Sequence, residues 1–109
     1  MKAQAQEIER RRAALLRVDL RKMYDACNLK WFGGKLPNVR VRWVTPRDID
    51  FMPEGGHWWP EAQEINIRLS AHANPYSGYQ LLHTMVHEMV ACVRHLSQFC
   101  GQRPLSGWH

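Results

Sequence analysis

Residues 84–91, with the sequence TMVHEMVA, lie in the segment that decides the fold of this 109-residue chain. Apolar residues within and around this stretch recur every three or four positions: Leu82, Met85, Val86, Met89, Val93 and Leu96. This spacing is typical of a helix that buries one face. It predicts a helix over residues 79–100, apolar enough to lie at the centre of the domain, with Gly101 ending it.

A second amphipathic pattern predicts one long helix from about residue 4 to residue 30. Its apolar residues form a single stripe: Leu16, Leu20, Met23, Cys27 and Trp31. Most of the arginines and lysines in this region fall outside the stripe. Gly33 and Gly34 are expected to end the helix, and Pro37 prevents it from continuing.

Two short segments between these helices have the alternating pattern of half-buried strands. Their apolar residues are Val39, Val41 and Trp43, and then Ile65, Ile67 and Leu69. Residues 45–63 are rich in proline and glycine, which predicts an irregular segment or a loose hairpin around His57, Trp58 and Trp59. The predicted fold class is therefore α+β, a single domain with a small antiparallel sheet within residues 38–70 packed on the N-terminal and central helices.

Composition narrows the class of protein. The length favours one domain, and no apolar run approaches the roughly 20 residues that a membrane-spanning helix needs. The N-terminus is charged and lacks the pattern of a secretory signal. These features favour a cytoplasmic protein without membrane contact.

Cys27, Cys92 and Cys100 match no metal-binding spacing, so we expect buried free thiols.

His87 and Glu88 begin a motif that lacks its final residue. In His-Glu-x-x-His, two histidines four residues apart share a helix face and bind Zn²⁺, and the glutamate acts on the metal-bound water. Ala91 stands at the second histidine position. A carboxylate on so apolar a helix needs a hydrogen-bonding partner or access to solvent. We therefore expect a cleft lined by Glu88 and His87.

His83 offers an alternative partner for His87. It lies four residues earlier, about 40° around the helix, so the two imidazoles could hold a metal ion one turn before the usual pair. In that shifted site His109 or the terminal carboxylate would be the third donor. Thr84 would then occupy the position of the catalytic glutamate. A surface histidine with no metal is the simpler interpretation of His83, and both remain open.

Four segments together resemble the SprT-like zinc metallopeptidase domain of the SprT and Spartan proteins. Their sequences are NLKWFGGKLP at residues 28–37, EINI at 64–67, LHTMVHEMV at 82–90 and RPLSGWH at 103–109. The similarity extends over roughly residues 20–109. Two departures stand out: Ala91 replaces a ligand, and the chain ends at His109, where the family continues into a further helix.

This resemblance implies a zincin-like minimal domain and zinc-dependent peptide hydrolysis, acting on proteins that include DNA-associated ones. It assigns His87 and His109 as metal ligands, in an active-site helix and a C-terminal ligand loop at residues 101–109, and Glu88 as the catalytic base. Because Ala91 removes one ligand, we expect zinc to bind weakly or not at all. Enzymatic activity is then impaired or absent, and the sequence leaves open whether the chain is an enzyme.

The alternative is a non-catalytic binding or inhibitor module of phage type on the same fold. Its partner would be a protein or a nucleic acid. Arg10, Arg11 and Arg12 on the basic first helix are the candidate contacts to DNA phosphates, and Trp58 and Trp59 are candidate exposed aromatic contacts. A third hypothesis, a fragment of a longer enzyme, also fits the position of the ligand loop.

Overall fold

The computed structural model describes residues 2–45 and 55–99, which form four helices and a three-stranded sheet. The elements in chain order are α1 (Lys2–Leu16), α2 (Leu20–Phe32), β1 (Arg40–Val44), β2 (Gly56–Trp59), β3 (Glu64–Arg68), α3 (Leu69–Ala73) and α4 (Leu81–Phe99). The α+β class is confirmed, as is a long helix carrying the TMVHEMVA sequence. None of the helices in the described part of the chain is long and apolar enough to cross a membrane.

The sheet is mixed, which corrects the predicted antiparallel arrangement. The strand order is β1-β3-β2, with β2 antiparallel and β1 parallel to the central strand β3. A tight turn over residues 60–63 joins β2 to β3, and Gln63 in this turn has a positive φ of 51°. The hairpin therefore occupies one edge of β3, and the earlier strand β1 can pair only with the other edge.

One face of the sheet is apolar and packs against α4 and α2. It carries the core residues of all three strands, which are Val41, Trp43, Trp58, Ile65 and Ile67. Met85 and Met89 of α4 and Tyr24 of α2 are fully buried in the same cluster. Most of the predicted apolar face of the central helix therefore belongs to this core, whereas Leu82 at its N-terminal end is 48% exposed.

The other face of the sheet is polar yet partly buried. Glu64 is 7% exposed and accepts a hydrogen bond of 2.9 Å from Arg42 Nε, which also lies 3.1 Å from Asn66 Oδ1. Arg40 adds a second cation 3.5 Å from Glu64. A buried carboxylate is costly unless it is paired, so these cross-strand contacts offset the burial of Glu64.

The N-terminal region forms two helices, not the single helix predicted over residues 4–30. Asp19 has an extended backbone conformation, and its side chain accepts a hydrogen bond from the Lys22 N–H at 3.1 Å. This is the geometry of an N-cap, which starts a new helix at Leu20. Leu16 lies before the break and is 54% exposed, and Trp31 near the end of α2 is 48% exposed. Only the middle of the predicted stripe is therefore buried or half-buried: Leu20, Met23 and Cys27.

The loop after α2 is fixed by side chains of that helix. Gly33, with a φ of 63°, adopts the left-handed conformation that ends the helix, as predicted. The Asn28 amide then donates to the Leu36 carbonyl and accepts from the Leu36 N–H, at 3.1 and 3.0 Å. The Tyr24 hydroxyl donates to the Pro37 carbonyl at 2.7 Å. These bonds determine where the chain enters β1.

Helix α4 lies close against β2 at Gly56. A Cβ atom at this position would lie 2.7 Å from Thr84 Cγ2, 3.2 Å from Glu88 Cγ and 3.3 Å from the Asn66 carbonyl. The first distance is shorter than a carbon–carbon contact allows. Only glycine therefore lets the helix lie this close to the strand.

Substitution of Gly56 by alanine should lower the free energy of unfolding by about 1–3 kcal/mol, the usual cost of overpacking a core. Thr84→Ser removes the methyl group that the new Cβ would meet and keeps the hydroxyl. The double variant should therefore recover part of the loss. Chemical denaturation of the single and double variants measures both effects, and an unchanged midpoint for Gly56→Ala would contradict the close approach.

Candidate functional site

A cavity of about 340 Å³ lies between the start of β2 and the N-terminal half of α4. Its lining consists of Gly55, Gly56, Tyr79, His83, Thr84, His87 and Glu88. The predicted cleft beside Glu88 and His87 is therefore present. Glu88 is 6% exposed, whereas His87 is exposed, so one side of the cavity is a buried carboxylate and the other an accessible imidazole.

Two glycines bring the strand to the edge of this cavity. A Cβ atom at Gly55 would lie 2.6 Å from the Tyr79 ring and 3.1 Å from the His72 ring. The adjoining Gly56 lies close against Thr84 and Glu88 of α4. A side chain at either position would clash with residues around the cavity, so this part of the cavity wall requires glycine.

His72 lies behind the cavity lining and is hydrogen-bonded to Thr84, one of the lining residues. Its Nδ1 lies 2.8 Å from the Arg68 carbonyl, which can only accept, so Nδ1 carries the proton. Its Nε2 lies 2.8 Å from the Thr84 hydroxyl, which donates to it when the ring is neutral. Burial lowers the pKa of His72, and the bond to Arg68 only partly opposes this effect. The ring is thus a neutral link between α3 and α4.

His83 and His87 are both exposed and both line the cavity. His87 is therefore not a core histidine. Ala91 is half-buried and packs against the core cluster, and it supplies no donor. Within residues 2–45 and 55–99, no three histidine, cysteine, aspartate or glutamate side chains are arranged to hold a metal ion. His109 and the predicted ligand loop lie outside the described residues, so their convergence on His87 stays a prediction.

The three arginines predicted to contact DNA lie on the exposed surface of α1. Arg10 and Arg11 both pair with the Glu7 carboxylate, at 2.7 and 3.0 Å. Arg12 lines a separate cavity between α1 and α3, which includes Leu69 and Ala73. Such exposed ion pairs are weak, so they leave the arginines accessible to phosphates. DNA contact through this helix stays a prediction.

The tryptophans do not form the exposed pair that the binding hypothesis used. Trp58 is 7% exposed, belongs to the core cluster and has its ring centroid 6.3 Å from that of His95. Trp59 is half-buried on the opposite face, where it packs against Val44. The alternation of a strand places neighbouring residues on opposite faces, so the two rings cannot form one contact surface.

The cysteines in the described residues are buried free thiols, as predicted. Burial raises the pKa of Cys92 to about 11 and also raises the pKa of Cys27. Metal ligation and nucleophilic attack both need the thiolate. At neutral pH these two groups are therefore packing residues. Cys100 lies outside the described residues.

Sequence reasoning identified His87 and Glu88 but missed Tyr79, His72 and the glycine pair. Gly55 and Gly56, where β2 begins, were a usable signal, because glycine in a strand often marks close backbone approach. No sequence signal linked His72 to Thr84, since the bond depends on how α3 packs on α4.

Comparison of the chain with known protein families, with curated proteins and with solved structures found no match in any of the three.

His72 should make the protein less stable in acid. Its pKa in the folded state lies below the ordinary value of 6.5, so the unfolded chain takes up the proton first as the pH falls. The contribution of neutral His72 is complete above pH 6.5 and is lost as the pH falls below that value, at a slope of up to about 1.4 kcal/mol per pH unit.

The measurement is the free energy of unfolding between pH 7.5 and 5 for the parent and for His72→Gln, which cannot titrate. Carboxylates contribute equally to both proteins, so the difference in slope isolates His72. Parallel curves over this range would rule out a neutral, buried His72.

Proposed function

We propose that the chain is a metallopeptidase-like domain of the SprT type with an incomplete metal site, and that its cavity binds a segment of a protein substrate or partner. The observation that carries the proposal is the shared cavity of His87, Glu88 and the start of β2. It puts the two surviving motif residues beside a strand at the edge of the sheet.

The position of β2 favours binding of an extended chain. β2 is an edge strand of the described sheet, with β3 on its inner side. Edge strands have backbone groups that can pair with an added strand, a common way to bind peptides. A segment paired with β2 would pass the cavity at Gly55 and Gly56, so its side chains or carbonyl groups could enter there.

The lining of the cavity suits a polar segment. Tyr79 and Thr84 supply hydroxyl groups, His83 and His87 supply imidazoles, and Glu88 supplies a carboxylate. The volume of about 340 Å³ is at the lower end of the range for ligand pockets. It suits one or two side chains of a longer bound segment, held in place by the strand edge.

The residues present do not fit a peptidase zinc centre. Such a centre needs three protein donors, and the described residues offer no group of three. The motif position that should supply the second donor is Ala91. We therefore propose binding without efficient hydrolysis.

Restoring the histidine tests the relation to metallopeptidases. Ala91→His places an imidazole about 40° around the helix from His87, the arrangement of a complete motif. His109, the third ligand that the resemblance implies, would complete the donor set. The variant should bind about one equivalent of zinc per chain and cleave unfolded casein. Zinc content after dialysis and the release of casein fragments are the two measurements.

Ala91→Asn is the matched control, because it adds a polar side chain of similar bulk that binds zinc poorly. Both substitutions should cost about 1–2 kcal/mol, since Ala91 packs on the core. Glu88→Gln in the Ala91→His background should keep the zinc and abolish cleavage. Both proteins are compared with His83→Gln added, which removes the other imidazole four residues from His87. Equal zinc content in those two proteins would contradict the proposal.

Binding is tested on the parent protein with fluorescently labelled, unfolded casein. Tyr79→Ala should weaken binding several-fold, because it removes a ring and a hydroxyl from the cavity. Tyr76→Ala is the matched control: Tyr76 is 74% exposed in the same loop and does not line the cavity. Fluorescence anisotropy with EDTA present measures the affinities, and equal losses in both variants would locate binding elsewhere.

A further inference from the structure

We propose that His83 and His87 form a two-histidine site for a divalent transition-metal ion, one helical turn before the pair that the motif would use. The site lies at the mouth of the cavity between β2 and α4. It does not depend on peptide binding, and it uses only residues whose positions are described.

The helix sets the geometry of the pair. Residues four apart on an α-helix lie about 40° apart around the axis and about 6 Å along it. Their Cβ atoms are then about 5–6 Å apart, and two imidazoles can reach one ion at a metal–nitrogen distance of about 2.0–2.1 Å. Both side chains are exposed and line the same cavity, so an ion can enter from solvent.

The other histidines in the described residues are placed differently. His72 uses both ring nitrogens in hydrogen bonds to Arg68 and Thr84. His95 lines a different cavity together with Trp58, and the centroids of the two rings are 6.3 Å apart. His57 is on β2, where it lies against the Trp59 ring with centroids 5.9 Å apart. His83 and His87 are therefore the pair that shares a cavity.

The site has two protein donors and open coordination positions. No third histidine, cysteine, aspartate or glutamate joins the pair within residues 2–45 and 55–99. Water, or a donor atom from a bound molecule, completes the coordination. Imidazole suits Zn²⁺ and Cu²⁺, and Cu²⁺ should bind more tightly by the usual order of stabilities.

Calorimetric titration of the parent with Zn²⁺ at pH 7.5 tests the proposal. Saturable binding of one ion per chain is expected, together with a rise in the midpoint of thermal unfolding, because the ion binds the folded state. His83→Gln and His87→Gln should each weaken binding at least ten-fold and remove the rise. Both residues are exposed, so the variants should unfold at the parent's midpoint when no metal is present.

His57→Gln is the matched control, since it removes an exposed histidine outside the cavity and should leave zinc affinity unchanged. Adding His83→Gln to the Ala91→His variant distinguishes this site from the complete motif. The zinc affinity of the double variant should equal that of Ala91→His alone, because the complete motif uses His87 and not His83. The proposal is overturned if the parent binds no zinc at millimolar concentration, or if His83→Gln leaves the parent's affinity unchanged. Neither result bears on the binding of casein.

Discussion

The close approach of α4 to β2 is the constraint on which the rest of the structure depends. At Gly56 the strand lies so near the helix that a single added carbon atom would meet Thr84 at 2.7 Å. Because α4 lies this close to β2, its apolar face packs in one cluster with Ile65, Ile67 and Trp58, which are almost fully buried. It also leaves the flank of α4 that carries His83, His87 and Glu88 open to a cavity beside the edge of the sheet. The packing of α4 on β2 and the position of Thr84 and Glu88 in the cavity wall therefore both require glycine at position 56.

Buried polar groups then fix the relative positions of the elements. His72 connects α3 to α4 through Arg68 and Thr84, and Arg42 holds Glu64 and Asn66 on the polar face of the sheet. Hydrogen bonds of this kind add little net stability, but a buried polar group left without a partner is expensive. Displacing one element would leave such a group unpaired, so these bonds favour a single arrangement over its alternatives. Thr84 lines the cavity and also bonds to His72, so this bond fixes the position of one residue of the cavity wall.

The two metal hypotheses differ by one turn of the same helix. His87 belongs to both pairs. In the motif its partner would be a histidine at position 91, where this chain has alanine, and in the other pair its partner is His83. Position 91 turns partly toward the core, whereas His83 lies at the open cavity. The exposure of the side chains therefore favours the earlier pair in this chain. The proposed peptide-binding role needs neither pair, since it depends on the edge of β2 and the polar lining of the cavity.

The sequence by itself determined the elements whose signals are local. The spacing of apolar residues predicted α4, β1 and β3, the glycines after Phe32 predicted the end of α2, and the motif identified His87 and Glu88. The spacing did not predict β2, and it placed Leu69 in a strand, whereas Leu69 begins α3. Asp19 was also a local signal, because aspartate is a common N-cap residue. The apolar spacing continued through it, so the sequence predicted one helix where there are two. Only the tertiary structure decided the parallel pairing of β1, the burial of Trp58 and the bond between His72 and Thr84. Each of these depends on contacts between residues distant in sequence, which periodicity and residue type do not encode, because they describe each segment apart from its neighbours in space.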